Sequence, residues 1–78
     1  MDVLDLYNKF IKGESVYIID DSEAAAFRLV PHKDHSVDCY CRRPGTGETG
    51  AEWDSDAVIK ARLTGREVTK EEYDGFRS

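Results

Sequence analysis

Ser36-Val37-Asp38-Cys39-Tyr40-Cys41-Arg42 alternates strictly between apolar and polar side chains. A two-residue period puts Val37, Cys39 and Cys41 on one side of an extended chain and Asp38, Tyr40 and Arg42 on the other. That is the pattern of a strand buried on one face, and it sets the fold class. Before it, His32 to His35 read as a turn. Residues 24–30, Ala-Ala-Ala-Phe-Arg-Leu-Val, combine helix-favouring alanines with an alternating Phe27-Arg28-Leu29, and Pro31 pushes Val30 into an extended conformation, so the segment reads as a strand. Asp20-Asp21-Ser22 supplies another turn. Residues 15–20, Ser-Val-Tyr-Ile-Ile-Asp, are β-branched and aromatic and read as a strand. Connections this short favour an antiparallel meander.

Outside the meander the period changes. In residues 2–12, Val3, Leu6, Tyr7, Phe10 and Ile11 recur at helical spacing and predict one apolar stripe. Asp2 suits the cap, Lys9 and Lys12 the C-terminal dipole, and Gly13 the left-handed stop. Downstream, Pro44 to Ala51 read as a polar Gly-rich loop. Asp54-Ser55-Asp56 begin a helix carrying Ala57, Val58, Ala61 and Leu63, which Gly65 ends, and Trp53 sits ahead of the cap as a staple. Thr69 and Glu72 have capping-box spacing, Val68 can staple against Tyr73, and Gly75 stops this last helix, leaving Phe76 to fold back.

The expected fold is thus α+β: a three-stranded antiparallel sheet packed against helices, in the order α-β-β-β-α-α, as one domain over residues 1–78. Val16, Ile18, Phe27, Leu29, Val37, Cys39 and Cys41 form the inward set. Tyr17, Ile19, Arg28, Tyr40 and Arg42 occupy the other face, with no predicted element left to cover it. That composition resembles binding interfaces, and also an ordinary solvated sheet face.

Seventy-eight residues bury only ~60–65% of the unfolded surface, so the stability margin is thin and few walls are available for a substrate pocket. The net charge is -5. Residues 1–23 carry six acids and two bases, residues 24–43 two acids and four bases, and residues 44–78 eight acids and five bases. Such a distribution favours a basic partner and disfavours direct nucleic-acid or membrane binding. No apolar run is long enough to span a bilayer. The start, Met1-Asp2-Val3-Leu4-Asp5, lacks a basic n-region, which points to a cytoplasmic protein.

The chemical motifs are few. Gly45-Thr46-Gly47-Glu48-Thr49-Gly50 fits G-x-G-x-x-G literally, but no helix opens on it and Glu48 would repel a phosphate. His32, His35, Cys39 and Cys41 have zinc-ligand chemistry at an unfamiliar spacing, against a reading of core cysteines and turn histidines. Cys39 or Cys41 with His32 or His35 can be drawn as nucleophile and base, but adjacent strand positions lack the geometry and the chain lacks walls to exclude water. The reading is therefore non-enzymatic, with no cofactor and no catalytic or metal residue. The residues left to bind a partner are the acids Asp20, Asp21, Glu23, Glu48, Glu52, Asp54, Asp56, Glu71 and Glu72, or Tyr17, Arg28 and Tyr40 on the uncovered face.

The ending Asp56-Ala57-Val58-Ile59-Lys60-Ala61-Arg62-Leu63-Thr64-Gly65-Arg66-Glu67-Val68-Thr69-Lys70-Glu71-Glu72-Tyr73 has an A-x3-A-x-L-x-G-x-x-V-T-x-x-E cadence. It is similar to the closing helices of small proteins encoded by phages and mobile elements. So is the overall type: short, acidic, cysteine-poor and without a catalytic signature. The resemblance implies an inhibitor of the anti-CRISPR type, which binds a bacterial nucleic-acid-handling complex and blocks target entry or nuclease recruitment. It carries over no functional residue. The alternative is a zinc-stabilised or homodimeric adaptor or regulator.

Overall fold

The computed structural model describes residues 2–76. The chain is α+β, with an antiparallel sheet and helices, but the sheet has five strands rather than three. The order is α1 (Val3–Ile11), β1 (Val16–Asp20), β2 (Ala25–Pro31), β3 (Val37–Arg43), β4 (Gly47–Ala51), α2 (Asp56–Thr64), β5 (Arg66–Val68) and α3 (Lys70–Asp74). Across the sheet the strands run β4-β3-β2-β1-β5, so the predicted order α-β-β-β-α-α is corrected at two points.

The first point is the segment expected to be a polar loop. Residues 47–51 pair with β3, Arg43 opposite Gly47 and Cys39 opposite Ala51. Gly45 and Gly47 adopt φ of +79° and +69°, the left-handed conformations that let a three-residue connection reverse the chain. The glycines that looked like flexibility are the turn chemistry of a hairpin. The second point is the linker between the last two helices, where Arg66 pairs with Ile19 and Val68 with Tyr17. Three residues are too few to show a period in sequence.

The predicted caps stand. The Asp2 side chain accepts from the Leu4 amide, and Gly13 follows α1 at φ +77°. The Ser55 side chain accepts from the Val58 amide. Thr69 and Glu72 close a reciprocal capping box. Gly65 does more than end α2: a Cβ there would lie 2.4 Å from Ile18 Cγ2 and 2.6 Å from the Ala61 carbonyl oxygen. Only glycine lets the helix end descend this close to the sheet.

α1 and α2 cover one face. Leu6, Val58 and Ala61 pack there on Val16, Ile18, Phe27, Leu29, Cys39 and Cys41, with Val37, Phe10 and Trp53 partly buried around them. The predicted inward set is thus the main core. The opposite face is not left open as expected. α3 lies on it, and Tyr73 packs with Ile19, Ala26 and Val68 in a second cluster that also takes in Tyr17 and Phe76. Among the described residues no helix is long and apolar enough to cross a membrane.

Candidate partner-binding site

Strand alternation places Tyr17, Arg28, Tyr40 and Glu48 on the face that α3 covers, where they are tied to one another rather than free. Arg28 donates from Nε and Nη2 to Glu48 at 3.2 and 2.8 Å, and its guanidinium lies 4.2 Å over the Tyr40 ring. The Tyr73 hydroxyl donates to the same Glu48 carboxylate at 2.6 Å. Tyr73 also stacks obliquely on Tyr17, with centroids 5.4 Å apart, and Arg42 sits 5.2 Å over its ring. Partial burial pulls the Glu48 pKa upward, but the Tyr73 hydroxyl and the Arg28 guanidinium outweigh it and hold the carboxyl below its ordinary range. Burial first, and then the Glu48 contact, push the Tyr73 phenol upward. The arrangement is a clasp that fixes a five-residue helix to the sheet.

The acids divide sharply. Asp20 is buried at 4% exposure, and its Oδ1 accepts from the Ser22 amide and hydroxyl, so it presents little to a partner. Asp21 accepts from Arg66 at 2.9 Å, a contact that holds its carboxyl below the usual range. Glu23 accepts from Lys60 at 2.8 Å. Glu72 is used by the capping box and lies 4.0 Å from Arg66. Glu52, Asp54, Asp56 and Glu71 are exposed, and no described cation pairs with them. Three of these four fall in one stretch, beside Trp53.

Trp53 joins the two helices of the main face. Its ring lies 6.0 Å from that of Phe10 on α1, and the Arg62 guanidinium of α2 lies 3.8 Å over it. Arg62 also donates to the Trp53 carbonyl at 3.2 Å. The unpaired acids of residues 52–56 therefore border the helical layer.

That layer holds what sequence reasoning missed. Only Leu6 of the predicted α1 stripe is buried, and Phe10 is half-buried. Val3, Tyr7 and Ile11 are 43, 49 and 83% exposed, and Leu4 is 71% exposed. The signal was present in the count. Six of the eleven residues from 2 to 12 are large and apolar, more than one helix face can direct into a core. At 100° per residue Leu4 and Ile11 fall together, well away from Leu6 and Phe10. Ile59 and Leu63 of α2 are also exposed, so the large exposed hydrophobics among the described residues all lie on these two helices.

The zinc set does not assemble. Cys39 and Cys41 are free and buried under the helices, whereas His32 and His35 are exposed in the β2–β3 turn, with His32 Nε2 2.6 Å from Asp38. Among the described residues no group of three or more His, Cys, Asp and Glu side chains converges as a metal site requires. Burial pushes the Cys39 thiol up to about 11, the opposite of what an activated nucleophile needs. No protein-family model matches the chain, and no curated protein or solved structure matches it.

Proposed function

We propose that the chain is a non-catalytic, protein-binding inhibitor of a bacterial nucleic-acid-handling complex, encoded by a phage or mobile element. The observation that carries this reading is the exposed acidic stretch Glu52, Asp54 and Asp56, which stands beside the helical layer and with which no cation among the described residues forms an ion pair. Exposed carboxylates left unpaired in this way attract a basic surface and repel phosphate. Proteins that handle nucleic acid present such basic surfaces. The cadence of residues 56–73, similar to that of small phage proteins, supports the same class of target.

The test is capture from bacterial lysate on the immobilised chain, at salt from about 0.05 to about 0.5 M, over which screening shortens the reach of exposed charges severalfold. A nucleic-acid-handling complex should be retained at low salt, released as salt rises, and lost to Glu52→Gln/Asp54→Asn/Asp56→Asn. The recovered complex should then bind its nucleic acid less well when the chain is added back. Salt-independent capture, or a captured complex whose nucleic-acid binding is unaffected, sinks the proposal.

A further inference from the structure

We infer that the outer face of α1 is the docking surface, and that its occupant is a basic amphipathic segment of the partner. The apolar side of that segment would lie on Leu4, Tyr7 and Ile11, and its lysines or arginines would meet Glu52, Asp54 and Asp56. This rests on the protein-binding reading above and adds the chemistry of the contact.

Three observations converge on it. First, α1 already satisfies the core through Leu6 and Phe10, so Leu4, Tyr7 and Ile11 are not needed to hold the fold. Their spacing of three and then four residues is that of a seam that receives another helix or an extended apolar edge. Second, Lys9 on the sheet side of α1 is already occupied, since it pairs with Glu67 of β5, which leaves Lys12 at the C-terminal cap as the exposed base of this helix. Third, the Phe10–Trp53 contact brings the unpaired acids alongside the same helix. The surface therefore combines an exposed apolar stripe with a flank of carboxylates that no described cation pairs.

That combination chooses among occupants. A second copy would bring the same three unpaired acids and another net charge of -5 against the first, and like charges juxtaposed across an interface oppose association. An anionic membrane surface is disfavoured for the same reason. A partner segment with apolar residues on one side and cations beside them satisfies both parts of the surface.

Trp53 is the one tryptophan of the chain, and its position between Phe10 and Arg62 makes its fluorescence a reporter for this face. The experiment titrates the full chain with three tryptophan-free peptides of about 18 residues, long enough to form a helix on a surface. One has leucine and lysine at amphipathic helical spacing, the second has leucine and glutamate in the same pattern, and the third has serine in place of every leucine of the first. The leucine–lysine peptide should saturate a shift in Trp53 emission, and the other two should not. Leu4→Ser/Ile11→Ser and Glu52→Gln/Asp54→Asn/Asp56→Asn should each weaken binding about tenfold, the second also flattening the salt dependence. Both sets of residues are exposed, and circular dichroism of each variant checks that the fold is retained.

Equal binding of the serine–lysine peptide would reduce the surface to charge alone and overturn the inference. So would unchanged affinity in Leu4→Ser/Ile11→Ser. Sedimentation showing a dimer that Leu4→Ser disperses would name a second copy as the occupant instead. The peptide titration uses no nucleic-acid machinery. A positive titration with a failed lysate capture therefore removes the target class and keeps the docking surface, and the reverse pair of results does the opposite.

Discussion

The two faces of the one sheet are held by different physics. Under α1 and α2 the contact is aliphatic and aromatic, with Phe27, Leu29, Ile18 and Val58 at 0% exposure. Its stabilisation follows buried area and is indifferent to pH. Under α3 the contact is directional: one carboxylate, Glu48, takes both Arg28 and Tyr73, and guanidinium groups lie over the Tyr40 and Tyr73 rings. A five-residue helix has little area to bury, so hydrogen bonds and an ion pair supply what area cannot. The first face should fail by losing volume, and the second by gaining a proton on Glu48 or losing the Tyr73 hydroxyl.

Phe27→Ala tests the first failure most severely. Emptying that position should remove about 3–5 kcal/mol, most of what a domain of this size is expected to have. Urea titration should show a protein largely unfolded before denaturant is added. A loss near that of a surface substitution would mean the helical face is loosely packed.

Tyr73→Phe tests the second failure. It keeps the ring but withdraws the hydroxyl from Glu48, and should cost about 1.5–3 kcal/mol, the range for a hydrogen bond to a charged group. The same clasp has a pH signature. The folded Glu48 pKa is held below its unfolded value, so its contribution is complete above the ordinary glutamate range near pH ~4.3 and is lost as pH falls through the folded value. Asp21 and Asp34 are displaced in the same direction. Glu48→Gln should therefore flatten part of the acid limb of a stability–pH curve and leave the remainder. An unaltered acid limb would show that the clasp does not titrate.

The smallest effect is expected where the docking surface is proposed. Ile11→Ser should change stability by no more than about 0.5 kcal/mol, as for an ordinary surface position. A loss comparable to that at Phe27 would place Ile11 in the core and remove it from the binding surface. This pair of measurements separates residues that hold the fold from residues available to a partner.

The inward set was legible because alternation survives in a strand wherever one face is dry, as at Val37, Cys39 and Cys41. The caps were legible because Asp2, Ser55 and Thr69 act on amides two or three residues away. β4 was not, because Gly47, Glu48 and Gly50 are residue types depleted in strands, and its pairing is set by β3 and the turn glycines. β5 was not, because only its partner β1 makes an extended conformation favourable at Arg66–Val68. The clasp was out of reach for a related reason. Arg28, Glu48 and Tyr73 are distant in sequence, and each looks like an ordinary surface residue until the topology brings them together. The acids were legible as a class, but the division between those spent on internal partners and those left at 52–56 is a three-dimensional fact.

The strand order also carries a consequence in time. β1 to β4 are joined by successive hairpins, so their pairings close short loops and can form early. β5 must return across the sheet to β1 from beyond α2, and α3 can dock only after that return. The face held by the Glu48 clasp is thus the last to be made and the first to open. Weakening it should quicken unfolding while hardly slowing folding, and local opening of α3 should exchange its amide hydrogens ahead of the meander.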